Sequence, residues 1–247
     1  MNPAEYEKMY RLERDYWWFV GRRYLVRSLI LRYAQIDADH PLMILDIGCG
    51  TGATAQELDQ FGTVVALDVS ETALRYTLQR GIGKLVVGSG EALPLPSNFF
   101  DLVTALDVLE HMDDDSRGAS EIRRVLKPNG ILVATVPALP LLWSQHDEAL
   151  HHRRRYTAGS FLKLMENSGF SVIKLSYCMT FLFPIVLAAR LLERLHPPRK
   201  PPSTTLPAVG PAVNSALSAL LRCEANALLK TNFPIGVSLV CVAKVPC

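Results

Sequence analysis

Along the middle of the chain, short apolar runs alternate with amphipathic stretches. Leu42 to Ile47 is an apolar run of strand length, and Ala53 to Phe61 carries a helical pattern. Val64 to Asp68 reads as a second strand, Lys84 to Val87 as a third running into a loop, and Phe100 to Leu106 as a fourth. Asp114 to Leu126 then reads as a helix, and Lys127-Pro128-Asn129-Gly130 as the turn into a fifth strand that ends near Val136. This alternation predicts a parallel sheet with crossover helices, an α/β domain with helices on both faces. Residues 1 to 40 are helical in pattern. Further on, Thr157 to Ser168 reads as a helix capped near Thr157 and ended by Gly169, and Phe170 to Tyr177 as a sixth strand. A last strand is expected over Val237 to Val245.

Roughly 55 residues separate the sixth and last strands, far more than the usual few-residue connection. They hold an apolar helix to Leu195, a proline-rich stretch from Pro197 to Pro211, and a second helix from about Ala212 to Leu229. The expected division is a helical cap over 1–40, a core over 41–178, an insert over 179–234 and a last core strand over 235–247. The insert is expected to form a mobile cap over a substrate pocket; a surface decoration is the plainer alternative. The longest apolar run, Leu175 to Leu192, contains Pro184 and Arg190. It falls short of the roughly 20 apolar residues of a spanning helix, so 179–195 is at most a peripheral membrane or lipid contact.

The chemistry begins where the first strand stops. Asp46-Ile47-Gly48-Cys49-Gly50-Thr51-Gly52 ends the strand in an acid and three alternate glycines. A strand, a glycine turn and a helix bring backbone N–H groups close to a nucleoside-type ligand. The spacing departs from the dinucleotide fingerprint, because the third glycine comes one residue early, and no Gly-Lys-Ser/Thr follows as in a phosphate loop. A carboxylate at Asp46 repels pyrophosphate and suits an ammonium group. A ligand with a cationic amino-acid end and a neutral ribose, S-adenosylmethionine (SAM), fits these residues. Asp68, ending the second strand, can accept both ribose hydroxyls.

The blocks ILDIGCGTG, LDVS, GSGEALPLPSNFFDLV, LDVLEH and VLKPNGILVATVP, in this order, resemble class I SAM-dependent methyltransferases. The resemblance covers about Leu42 to Pro137. It implies a doubly wound seven-stranded sheet whose last strand is antiparallel and lies between strands five and six. It implies SAM as cofactor and S-adenosylhomocysteine as product. Asp46, Gly48, Cys49, Gly50 and Gly52 would shape the methionine end, Asp68 would hold the ribose, and Val69 would pack on adenine. Ser89, Gly90 and Glu91 would line the adenine edge, with Ser89 where the family usually has Asp. Leu106 would offer its carbonyl beside the methionyl part. The pre-core helices of such enzymes often close over the ligands. Trp17 or Trp18 could then stack on one, and Arg22 or Arg23, with Arg23 preferred, could meet the SAM carboxylate.

Composition narrows this little. The 247 residues suffice for one substantial core, and a net charge of +2 gives no support to bulk nucleic-acid binding. Five cysteines, odd in number and without a Cys-x-x-Cys pair, argue against a disulfide framework or structural zinc and fit a reducing cytoplasm. The polar N-terminus does not read as a signal peptide.

For catalysis, His111 is the candidate general base, just past the fourth strand; packing beneath SAM is its plainer role. Asp107, Glu110 and His111 share a helical face and could form a metal set, with His146, His151 or His152 as further ligands, though a solvated helix start explains them as well, and no metal is expected. The loop after strand five is dense in donors. His146, His151, Arg154 and Tyr156 are the candidate substrate contacts there, suited to an anionic group, while its arginines could instead pair with Asp113 to Asp115. The expected reaction is methylation of a small molecule, at an oxygen of a hydrophobic or lipid-like acceptor with an anionic group. A protein or RNA methyltransferase and a non-catalytic SAM-binding subunit are the alternatives.

Overall fold

The structure, a computed structural model, describes residues 3–37, 39–195 and 207–247. Most of the proline-rich stretch expected as a hinge lies outside the described residues. Two helices lead the chain, α1 (Pro3–Asp15) and α2 (Trp17–Tyr33). The core then runs β1 (Leu42–Ile47), α3 (Ala53–Leu58), β2 (Gly62–Asp68), α4 (Glu71–Gln79), β3 (Lys84–Val87), β4 (Phe100–Leu106), α5 (Asp115–Val125) and β5 (Leu126–Pro137). After it come α6 (Gln145–Ala149), α7 (Ala158–Asn167), β6 (Ser171–Cys178), α8 (Phe183–Leu195), α9 (Pro211–Leu228) and β7 (Ser238–Lys244).

The seven strands form one sheet in the order β3-β2-β1-β4-β5-β7-β6. The first five are parallel, and β7 is antiparallel to both β5 and β6. The doubly wound architecture with an inserted antiparallel last strand is therefore present.

The two-residue period of the strands divides the apolar side chains between two layers. Leu45, Ile47, Val103, Ala105, Leu132 and Ala134 face α5 and α7, where Ile122, Val125, Phe161 and Met165 close the layer. Ile44, Val64, Ala66, Leu102, Val133 and Val240 face Val26, Leu29 and Ile30 of α2, Ala55 and Leu58 of α3, and Ala225 and Leu228 of α9. Parallel strands covered on both faces carry near-continuous apolar runs, as β1 and β4 do.

The expected insert separates into two unlike parts. α9 lies along α2 and buries Leu221, Glu224, Ala225 and Leu228, so it belongs to the core layer and is not a detachable cap. α8 has no buried residue, and Ile185, Leu191, Leu192 and Leu195 are exposed. No described helix is long and apolar enough to cross a membrane.

Candidate functional site

The C-terminal ends of β1, β2, β4 and β5 point to one edge, where an α/β sheet binds its ligands. At the end of β1, Gly48, Gly50 and Gly52 have φ of +64°, +56° and +85°. These are left-handed values that side chains with a Cβ rarely adopt, which explains the glycines better than composition can. The turn is also crowded: a Cβ at Gly48 would stand 2.6 Å from Val108 Cγ2, and one at Gly50 would stand 3.1 Å from Met9 Cε. The end of β4 and helix α1 therefore both approach the turn.

Asp46 is buried beneath it. Its Oδ1 accepts from Thr104 Oγ1 at 2.6 Å, while Oδ2 is buried with no partner. Desolvation pushes its carboxyl up to about 7, against the lowering effect of Thr104 and Arg22. Asp68 Oδ2 accepts the Gly50 N–H at 3.0 Å and Oδ1 the Ser70 N–H at 2.9 Å, so its carboxylate is held facing the turn with lone pairs to spare. Burial raises its pKa. Val69 beside it is 72% exposed, an apolar face with nothing on it. Ser89 is exposed, Gly90 is packed close to Met112, and Leu106 is buried. Glu91 is engaged elsewhere, accepting the Asp114 N–H at 2.7 Å. Cys49 is buried, with its thiol toward Thr77 Oγ1 and its pKa pushed far up by burial.

These residues fit SAM. The unpaired Asp46 oxygen suits a cationic end, the glycine cradle admits close backbone approach, and Asp68 with Val69 offers acceptor and apolar surface for a nucleoside.

Helix α1 closes this edge through residues that the sequence pattern did not single out. Glu13 accepts from the Thr51 hydroxyl and pairs with Arg80 at 3.1 Å. Arg80 also donates to the Thr51 carbonyl at 2.7 Å and stacks over the Tyr10 ring at 4.2 Å. Lone charged residues in separate helices leave no motif by which to find them.

A second feature adjoins the turn. Trp18, Gly21, Arg22 and Leu25 of α2, Leu221, Glu224, Ala225 and Leu228 of α9, and Asp107, Thr135, Cys178, Met179 and Ser238 at the sheet edge line an open recess of about 480 Å³, the solvent at its mouth included. Its walls are mostly apolar. Its polar end is an ion pair, Arg22 Nη1 to Asp107 Oδ2 at 2.6 Å, with the Thr135 hydroxyl donating to Asp107 Oδ1 at 3.2 Å. Arg22 also lies over the Trp18 ring at 4.5 Å, and its Nε is buried without a partner.

Several expected contacts fall elsewhere. Arg23 is drawn off by the Glu13 carbonyl at 2.6 Å and by Glu57 at 3.2 Å, so Arg22, its neighbour on α2, is the arginine that reaches the ligand edge. Trp17 does not line the recess; its backbone N–H donates to Asn214 Oδ1 at 2.9 Å. Arg154 is spent on Asp115 at 2.9 Å and on the Met112 and Asp113 carbonyls. Tyr156 is buried against Phe161 with its hydroxyl donated to Asp115 at 2.7 Å. Both are structural struts between the loop after β5 and the start of α5, where Asp113 and Asp115 pair with Arg153 and Arg154 and Asp114 caps the helix. His151 is exposed at φ +58°, and His146 is partly buried with its imidazole lowered by desolvation.

His111 ends a short 3-10 turn, Leu109–His111, and does not line the recess. Desolvation and the adjacent His152 lower it to about 4, although an edge of the residue stays in solvent. Among the described residues, Glu110, His111 and His152 are the group that could hold a metal, with one ligand atom from each lying within 4.8 Å of the others. Asp107 is not a member, since Arg22 and Thr135 occupy its carboxylate.

A glycine cradle and an edge carboxylate at the ends of β1 and β2, beside a recess at the end of β4 and β5, fit a SAM-binding α/β enzyme class. Residues 45–134 match the family described as methyltransferase domain. The chain is 37% identical over 108 residues to the mitochondrial arginine-hydroxylase NDUFAF5 of Rattus norvegicus, covering 42% of this chain and 31% of that one. It is 36% identical over 118 residues to a demethylmenaquinone methyltransferase of Lactiplantibacillus plantarum, covering 43% and 50%. The chain thus spans half or less of these relatives' lengths. A crystal structure of a SAM-dependent methyltransferase from Thermotoga maritima superimposes with a TM-score of 0.60 at 18% identity, covering 98% of this chain and 95% of that one, and shares the fold. Residues 45–134 therefore carry a methyltransferase domain of the class I SAM-dependent type, with SAM as its cofactor.

Proposed function

We propose that this chain methylates an oxygen of a hydrophobic small molecule, which enters the recess between α2, α9 and the sheet edge. The observation that carries this reading is the recess itself. It is walled by Trp18, Leu25, Met179, Leu221 and Leu228, ends in the Arg22–Asp107 pair, and adjoins the glycine turn through Val108 against Gly48. Methyl transfer from a sulfonium is an in-line displacement, so the enzyme's main work is alignment and exclusion of water. The apolar walls do both for a greasy acceptor. The similarity to an enzyme named for a demethylmenaquinone acceptor points the same way.

With the loop arginines consumed by acids, Arg22 is the cation that lines the recess. It would meet an anionic group on the acceptor or the SAM carboxylate. Proton removal from the acceptor hydroxyl is assigned to His111, a neutral imidazole four residues beyond Asp107 that lies outside the recess walls and would act through a bridging water. Trp18 is the wall residue that selects the acceptor.

The test is labelled-methyl transfer from SAM into lipid and metabolite extracts. Trp18→Ala should raise KM for the labelled acceptor while leaving SAM affinity within about twofold, and His111→Ala should lower turnover by about 10²–10⁴. A KM unaffected by Trp18→Ala would place the acceptor outside the recess. Unchanged turnover by His111→Ala would remove it from the chemistry.

A further inference from the structure

Glu110 is fully buried, and neither of its carboxylate oxygens has a hydrogen-bond partner. Only its backbone carbonyl is used, accepting the Arg153 N–H at 2.8 Å. The charged groups around it are matched without it: Arg22 with Asp107, Arg155 with Asp147, Arg153 with Asp113 and Arg154 with Asp115. One buried negative charge is left over, and burial of an unpaired carboxylate is expensive. Something positive must meet it, either a proton or a bound cation.

Two imidazoles face this carboxylate. His152 Nε2 is 3.9 Å from Glu110 Oε1, too far for a hydrogen bond, and the His111 and His152 rings meet edge to face with centroids 4.8 Å apart. The ligand atoms of all three lie within 4.8 Å of one another. Two ligands on one ion, at bonds of about 2.0–2.2 Å, stand roughly 3–4 Å apart, which small side-chain rotations reach.

The surroundings fix the orientation that ligation needs. His152 Nδ1 faces Asp147 Oδ1 at 2.9 Å, and Arg155 Nε holds the same oxygen at 2.7 Å. Asp147 is itself locked by the capping box that starts α6. A carboxylate on Nδ1 places that ring proton outward and leaves the Nε2 lone pair turned to Glu110, the usual support of a metal-binding histidine. His111 is partly open to solvent, which supplies both an entry path and free coordination positions.

We propose that Glu110, His111 and His152 bind one first-row divalent transition cation. Two imidazoles and a single carboxylate suit zinc, manganese or cobalt and do not suit magnesium or calcium, which favour oxygen ligands. The assignment concerns the chain's own residues and does not rest on the methyltransferase reading. This assignment is an alternative to the base role of His111: an ion held there would take the His111 nitrogen as a ligand and would supply Lewis-acid activation instead.

The test uses the full chain, freed of metal by chelator and titrated with Co²⁺ by visible absorption and calorimetry. Its exposed thiols, Cys223 and Cys247, are replaced by serine so that they do not compete. The expected result is one Co²⁺ per chain, displaced by Zn²⁺. Binding should weaken at least 100-fold in Glu110→Gln and in His152→Ala, and about 10–100-fold in Asp147→Asn. SAM titration of the same samples reports folding and bears separately on the proposed function. Should Glu110→Gln fail to fold, His111→Ala, an exposed position, must show the same loss. No Co²⁺ bound at equimolar micromolar concentrations, or binding unchanged in the ligand variants, would overturn the proposal and leave Glu110 as a buried protonated acid.

Discussion

The two halves of the ligand edge are built on different principles. The cofactor half, at β1 and β2, is made by local chain geometry: Asp46, the three glycines, Asp68 and Val69 lie within 24 residues. The half proposed for the acceptor is made by distant segments meeting. Arg22 reaches Asp107 across 85 positions, the Trp17 N–H reaches Asn214 across 197, and Leu221 of α9 packs on Gly21 of α2. A local site is a property of backbone conformation, so it tolerates change elsewhere and fails when its own φ angles are disturbed. An assembled site is a property of packing, so it fails when the helices that carry it shift.

The largest effect should come from disturbing the local half. Gly50→Val places a branched side chain at φ +56° and against Met9, and should abolish SAM binding measured by titration in a protein whose circular dichroism is unchanged. Tight binding by this variant would mean that the turn does not hold the cofactor. In the assembled half, Leu228→Ala should cost about 2–5 kcal/mol in denaturant unfolding, because the side chain is fully buried between α9 and the sheet. A cost near zero would return α9 to the status of a detachable cap. Asp68→Ala removes a carboxylate that can take charge-assisted bonds worth about 1.5–3 kcal/mol each, so SAM affinity should fall at least tenfold with folding intact.

Asp46 gives the local half a pH dependence. In the folded protein its proton is held up to about 7, against an ordinary value of 3.8 for the unfolded chain. The folded state therefore binds more protons between those values. The stability this brings is complete below about 4 and is lost as pH rises toward 7. Binding of a cationic ligand end runs the other way, since it needs the ionised form. SAM affinity should rise by about tenfold from pH 6 to pH 8, and Asp46→Asn should flatten the profile. A flat profile in the unaltered protein would separate Asp46 from the ligand. The smallest effect belongs to α8: Leu192→Ser, at an exposed position, should change stability by less than about 0.5 kcal/mol and leave SAM affinity unaltered.

The same division governs what could be read from the chain beforehand. The strands were legible because burial on both faces forces contiguous apolar runs, and the helix ends because Thr157 and Gly169 carry capping chemistry in single residues. The glycine turn was legible because its backbone demands glycine. α9 reads in sequence as part of a mobile cap because its apolar stripe does not say what it will face; Leu221 against Gly21, and Asn226 against Tyr24, seat it on α2 as a fixed wall of the recess. Arg22 and Arg23 are equivalent by composition, and the angular step along α2 separates them. Arg154 and Tyr156 have the right chemistry for a ligand, but Asp115 claims both. His146, His151 and His152 are equivalent in sequence as further metal ligands, and only the loop after β5, folding back across about 40 positions, singles out His152 beside Glu110 and His111.

Hydrogen–deuterium exchange with and without SAM tests the separation of the two halves most directly. SAM should protect amides at residues 48–52 and 68–70 and along α1, and should leave α9 and residues 179–182 beside the recess unchanged. Protection of α9 and the recess walls with none at the glycine turn would contradict the account.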